Sequence, residues 1–241
     1  MRLPAHAPDG GSASRGNRIL TSLAAADLRL LEPVDVMRLA PRYRLFDAGD
    51  PIRHLYFPAS GVVSFVQVDG RGAMPEVAHV GVEGIVGITA LLGGERAQHR
   101  AVVQIAGDAY RVPLPSARRA LAASAAFRAY ALGFADLLMR QLSQNVVCKL
   151  SHTVEQQFCH RLLVYADRAG GAVLEMTHEE MAEALGARRQ GITEAARRLQ
   201  ARQVIAYSRG RMSVLDRAAL ERHACDCYRV LSQDLSEGCA T

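Results

Sequence analysis

Between Tyr43 and Pro113 the chain is a succession of short runs, YRLF, HLYF, VVSFVQV, EVAHV, AVVQIAG and AYRVPL, each about the length of one strand. Gly49-Asp50, Gly61, Asp69-Gly70 and Gly93-Gly94 fall between them, residue types that take up turn backbone at little cost. Short alternating runs at this spacing predict a β-roll or jelly-roll barrel. From Ser116 the pattern turns helical and stays so. Strands segregated from helices in this way define an α+β fold.

Residues 1–18, rich in Gly, Ser, Ala and Pro without apolar period, read as a disordered tail. A helix is expected from Ser22 to near Leu39, with Leu23, Leu28, Leu31 and Val36 on its apolar side and Pro33 dividing it. The roll therefore takes 19–116. Beyond it, Phe134, Leu138, Leu142, Val146 and Leu150 recur at four-residue steps, a pattern longer than one barrel needs to cover it. Residues 117–151 are accordingly expected to be a linker and a dimerisation helix that packs on a second copy. Polar DRAGG closes the helical stretch at Asp167–Gly171.

Thr177-His178-Glu179-Glu180 has the Thr-x-x-Glu form of a capping box. The short helix EEMAEALG stops at Gly186, and a second begins near Ala187 or Arg188 and runs to about Ala201, with Ile192, Ala196 and Leu199 on its buried stripe. Two helices joined by a tight glycine turn are a helix-turn-helix. VIAYS, Arg209-Gly210-Arg211 and MSVL then form a hairpin with a basic tip, a wing. This winged helix-turn-helix is assigned to 152–226 and a C-terminal tail to 227–241.

Formal net charge is +5, and Lys149 is the only lysine, so arginine content by itself carries little weight. Its distribution carries more. Residues 186–211 hold seven arginines against the single acid Glu194, whereas 152–241 as a whole holds twelve arginines and twelve acids. With Ile192, Ala196 and Leu199 inward, Arg189, Gln190, Thr193 and Arg197 lie outward, and Arg188 and Arg189 occupy the first turn. A recognition helix presents that turn to base edges, where arginine donates two bonds to guanine. Arg198, Arg202, Arg209 and Arg211 suit phosphates, and Thr177 joins the set at the start of the preceding helix. Glu194 has two roles open to it, accepting from a cytosine amino group or pairing with Arg198.

MTHEEMAEALGARRQGITEAARRLQARQVIAYSRGRMSVLDRAALE resembles the winged helix-turn-helix of the Crp/Fnr family of bacterial transcription regulators. RLFDAGDPIRHLYFPASGVVSFV resembles the start of that family's cyclic-nucleotide-binding-like β-roll, and the helix around 126–151 stands where the family places its dimerisation helix. The ARRxxxT helix start and the CxCY ending are similar to one subgroup. The resemblance implies a homodimer that binds double-stranded DNA at a near-palindromic operator, meets RNA polymerase, and answers to a small-molecule effector of unknown identity.

The resemblance also exposes departures. Where cyclic-nucleotide-binding members carry a ribose-binding Glu, this chain has Ile88; where they carry the phosphate-binding Arg-Ser, it has His99-Arg100. An apolar residue cannot accept ribose hydroxyl bonds, which argues against cyclic AMP; Arg100 is either an anion contact or an exposed strand arginine. Oxygen-sensing relatives hold an iron–sulfur cluster on cysteines grouped mainly near the N-terminus, and here no cysteine precedes Cys148. Cys225 and Cys227, even with Cys239, fall short of the four thiolates such a cluster takes. No cofactor, metal ligand or catalytic residue is therefore expected. The five cysteines form no CxxC pair, as in a reduced cytoplasmic protein, and no stretch reads as a signal peptide or membrane span. A cupin-like metalloenzyme using His54, His79 and His99 is the competing reading, and a constitutive DNA binder the third.

Overall fold

The computed structural model describes residues 16–68, 74–169, 171 and 173–237. It opens with two short helices, α1 (Arg18–Ser22) and α2 (Ala25–Leu30). Asn17 is buried, caps α1, and donates to the carbonyls of Pro58 and Gly84, which pins this segment to the roll. The expected tail therefore ends sooner than residue 18; residues 1–15 lie outside the described residues. The helix expected through Leu39 stops before Pro33, and the chain continues as strand β1 (Asp35–Leu39). Pro33 disfavours helical backbone at Glu32. Valine and alternating burial then favour the sheet.

Six more strands follow: β2 (Arg44–Phe46), β3 (His54–Pro58), β4 (Val62–Val66), β5 (Glu76–Val80), β6 (Arg100–Ile105) and β7 (Gly107–Pro113). They form two antiparallel sheets, ordered β1-β7-β3 and β2-β6-β4-β5. Leu39, Leu55, Phe57, Val63, Val103 and Val112 are fully buried between them. This is the β-roll expected from the short runs. Helix α3 (Leu114–Ala123) leads into α4 (Ala125–Ser151), bent by 111° from it, and Ser124 caps the turn by accepting from the amide of Phe127. Among the described residues no single helix is long and apolar enough to cross a membrane.

The four-residue stripe on α4 divides. Steps of four residues advance about 400°, so each turns about 40° around the helix and five residues cover nearly half its circumference. Phe134 is buried on the roll, Leu138 and Leu142 pack at its edge, and Val146 and Leu150 face outward. A different series forms the bare face: Leu132, Met139 and Val146, seven apart, are 52%, 60% and 59% exposed, and Leu150 is 83% exposed.

After a break at His152 come α5 (Val154–Ala169), strand β8 (Val173–Glu175), α6 (His178–Leu185), α7 (Arg189–Ala201), strands β9 (Ile205–Ser208) and β10 (Arg211–Val214), α8 (Arg217–His223) and α9 (Cys227–Glu237). The wing has three strands, β8-β10-β9, one more than the predicted hairpin. The C-terminal tail assigned to 227–241 is helical as α9 and packs on α4; residues 238–241 lie outside the described residues. Helix α5 is buried on several sides because it packs against both β4 and helices α7 and α8, and its apolar cluster takes in Val62 and Ile105 of the roll.

Candidate nucleic-acid interface

Thr177 caps α6 in a complete capping box: its hydroxyl oxygen accepts from the Glu180 amide at 3.2 Å while Glu180 accepts from the Thr177 amide at 2.7 Å. Reciprocal satisfaction of two free amides fixes where the helix starts. Gly186 ends α6 with φ 55°, ψ 36°, the left-handed conformation that lets the chain double back over three residues into α7. Arg188 is the N-cap of α7 and Arg189 its first residue. Ile192, Ala195, Ala196 and Leu199 are buried beneath, so Arg188, Arg189, Gln190, Glu194, Arg197 and Arg198 stand exposed on the other side. The predicted stripe is present, and of the predicted outward set Arg189, Gln190 and Arg197 are exposed whereas Thr193 is half-buried, its hydroxyl turned to His178 of α6.

The wing joins this face. At its tip Arg209 and Gly210 both have positive φ, 50° and 77°, the two-residue hairpin turn whose twist matches the strands it joins. The Met176 amide donates to the Gly210 carbonyl at 2.8 Å, which holds the tip against the start of α6. His178, next along, stacks on Tyr207 of β9 at 4.0 Å and meets the Thr193 hydroxyl of α7 at 3.2 Å. Burial first, then Arg189 and Arg197, hold the His178 imidazole below its ordinary range, so it is neutral beside the arginines at pH 7. Wing, α6 and α7 thus meet around one histidine, a residue that sequence reasoning passed over because a histidine at a helix start carries no spacing signal.

The predicted residues are not equally free. Arg198 is held by Glu155 at 2.7 Å and Glu194 at 2.9 Å, so of the two roles open to Glu194 the structure displays the ion pair. Thr177 is occupied in its cap. Arg189 has only a loose contact, 3.4 Å to Glu179, with both side chains about 70% exposed. Arg209 and Arg211 are exposed at the wing tip.

In the roll, Ile88 is buried at the start of a one-turn 3-10 helix, His99 bonds to Gln67 at 2.9 Å, and the Arg100 guanidinium is engaged by Asp47. Ile88 and His99, with Phe46, Phe65, Leu138 and Leu142, line an apolar cavity of about 70 Å³ against α4. No carboxylate stands beside Ile88 in this lining and the one arginine is already paired.

The Crp-like helix-turn-helix domain family matches residues 156–223, and the cyclic nucleotide-binding domain family matches 36–124. No curated protein matches the chain. Among solved structures, a putative Crp/Fnr-family transcriptional regulator from Eubacterium rectale is 17% identical, with TM-score 0.66, over 88% of this chain and 97% of its own. A CRP-family transcriptional regulator from Thermus thermophilus is 23% identical, with TM-score 0.65, over 78% and 96%. The c-di-GMP responsive global regulator CLP from Xanthomonas campestris is 16% identical, with TM-score 0.64, over 79% and 99%. A β-roll, a long helix and a winged helix-turn-helix follow one another in this order, the fold shared with these solved structures. The chain belongs to the Crp/Fnr family of DNA-binding transcription regulators.

Proposed function

We propose that the protein is a cytoplasmic homodimer that binds a near-palindromic DNA operator sequence-specifically and answers to a signal other than a cyclic nucleotide. One observation carries the first half: the first turn of α7 and the wing tip expose Arg188, Arg189, Arg209 and Arg211, and α6, α7 and the wing meet at the half-buried His178. Arg188, Arg189 and Gln190 read base edges in the major groove, helped by Thr193 and Arg197, while Arg209 and Arg211 meet phosphates flanking them. Arg198 and Glu194 hold each other and position the helix. RNA polymerase is the expected partner on the promoter.

The bare face of α4 supports the dimer, because apolar residues at seven-residue spacing are the seam of a paired helix. Two recognition helices would then meet half-sites about 34 Å apart. The composition of the roll supports the second half. A neighbour of the same fold is described as responsive to c-di-GMP, so this fold does not by itself select cyclic AMP. Here the residues that would grip ribose and phosphate are replaced or engaged. The cupin-like alternative gains nothing from the geometry: His79 is sealed in a polar network, His99 is tied to Gln67, and His54 stands beside Tyr56.

Fluorescence anisotropy of labelled promoter fragments tests this reading. Wild type should prefer some fragments over others, and Arg189→Ala should erase that preference; equally weak binding by both to all fragments would sink it.

A further inference from the structure

The helix break at His152 brings together four groups that the sequence keeps up to 79 residues apart. Cys148 lies in the last turn of α4 and His152 one turn on, while Cys225 and Cys227 flank the start of α9. Their ligand atoms all lie within 4.8 Å of one another. The three cysteines are buried and reach each other without any intervening side chain. From this geometry we infer that Cys148, His152, Cys225 and Cys227 form a structural zinc site that fastens the end of α4 to the C-terminal helix.

Two of the six ligand pairs stand at the edge lengths of a zinc tetrahedron. Zinc–sulfur bonds of about 2.3 Å and zinc–nitrogen bonds of about 2.0–2.1 Å give S···S edges of about 3.8 Å and S···N edges of about 3.6 Å. Cys148 Sγ and Cys225 Sγ are 3.6 Å apart, and Cys227 Sγ and His152 Nδ1 are 3.5 Å apart. The sulfurs are well beyond the roughly 2.05 Å of a disulfide. Three thiolates and one imidazole are the donor set that selects zinc over harder divalent ions, and four protein ligands close the site, as in structural rather than catalytic centres.

The surroundings suit thiolates. Gln144 Nε2 donates to Cys227 Sγ at 3.0 Å, and His160 Nδ1 stands 3.5 Å from Cys225 Sγ and 3.7 Å from Cys148 Sγ. Such outer partners orient ligands and stabilise their charge. His152 is only half-buried and opens on a groove lined by Lys149, Val154 and Gln157, which gives an ion its route from solvent. On binding, the three thiols release their protons to water as the zinc–sulfur bonds form, and the imidazole contributes a lone pair. The inference stands independently of the DNA-binding proposal.

The test is metal analysis of the purified full chain, reduced, loaded with zinc and dialysed. One zinc per chain should remain in wild type and in Cys159→Ser, whose thiol lies in a different core. Cys225→Ser should lose it. His152→Ala, checked for native circular dichroism, should bind zinc more weakly by more than the roughly 10–100-fold that outer partners are worth. Replacement with cobalt should give the visible spectrum of a tetrahedral, sulfur-rich ion. Zinc content indistinguishable between wild type and folded His152→Ala, or a Cys148–Cys225 disulfide in protein handled without oxidant, would overturn the site.

Discussion

Arg168 of α5 donates to Glu83 of the roll at 2.9 Å with both side chains buried, so a full ion pair crosses between the β-roll and the helix that begins the DNA-binding domain. A second such pair lies nearby, Arg161 with Glu76, where Glu76 also accepts from Tyr165 at 2.6 Å and from Ser64. His79 completes this network by donating from Nδ1 to Glu76 at 2.8 Å and accepting from Gln141 of α4 at 3.0 Å. Three parts of the molecule therefore share one sealed polar cluster.

Removing one partner from such a pair strands a buried charge. Arg168→Ala should cost about 3–5 kcal/mol of unfolding free energy, measured by urea denaturation. Arg168→Met combined with Glu83→Leu should recover most of that, although the Gly81 amide, which also donates to Glu83, loses its acceptor. Equal destabilisation by single and double variants would show that the pair is not what is lost.

The same cluster sets a pH dependence. Burial first, and then Arg168 and His160 against an opposing effect of Glu83, hold the His79 imidazole well below 6.5. Arg161 already compensates Glu76, so a second proton there would have no counter-charge. The unfolded chain takes up that proton as pH falls through about 6.5 while the folded chain does not, so stability is full above this range and declines below it. Unfolding midpoints between about pH 7.5 and about pH 5.5 should show His79 contributing up to about 1.4 kcal/mol per pH unit, a slope that His79→Gln reduces. Glu83 extends the loss further down: burial raises its carboxyl, but Arg168 and backbone amides outweigh this and hold it below 4.5, so its contribution disappears as acid protonates it.

On DNA the arginines should separate by role. Arg209→Ala should weaken binding uniformly across sequences and lower the slope of log affinity against log salt by about 1. Arg189→Ala should instead cost about 1–3 kcal/mol on the preferred sequence and relax discrimination at one base position.

Gly84 lies close against α4: a Cβ there would stand 2.2 Å from Phe134 Cε2. Phe134 is itself buried in the core of the roll, so its ring must shift within packed surroundings. Gly84→Ala should lose about 1–3 kcal/mol of stability by overpacking. Phe134→Leu in the same chain should restore part of it, and thermal unfolding reads both.

Much of this fold was legible because its determinants are local. Turn glycines bounded the strands, Thr177 and Glu180 marked a helix start, and Gly186 marked the turn, each within a few residues of what it controls. Residues 35–39 were misassigned because Leu28, Leu31 and Val36 carry apolar spacing that suits a helix, and only pairing with the distant strand β7 makes β1 a strand. The buried network was invisible for a similar reason: Glu76 and Arg161 are 85 residues apart, and a charge within an apolar run such as FCHRLLVY gives no hint of its partner. Cysteine spacing was equally silent, since a one-residue gap between Cys225 and Cys227 becomes a four-group cluster only when α9 folds back on α4.

The seven-residue spacing of Leu132, Met139 and Val146 on the bare face of α4 also fixes a handedness. An α-helix of 3.6 residues per turn drifts about 20° per seven residues, so two such helices keep these residues facing each other only by winding left-handedly around a common axis. In the proposed homodimer, that winding over 27 residues, about 40 Å of helix, would set the angle at which the two DNA-binding domains diverge. Under the same proposal, the spacing between operator half-sites would be set in α4, more than thirty residues before Arg188.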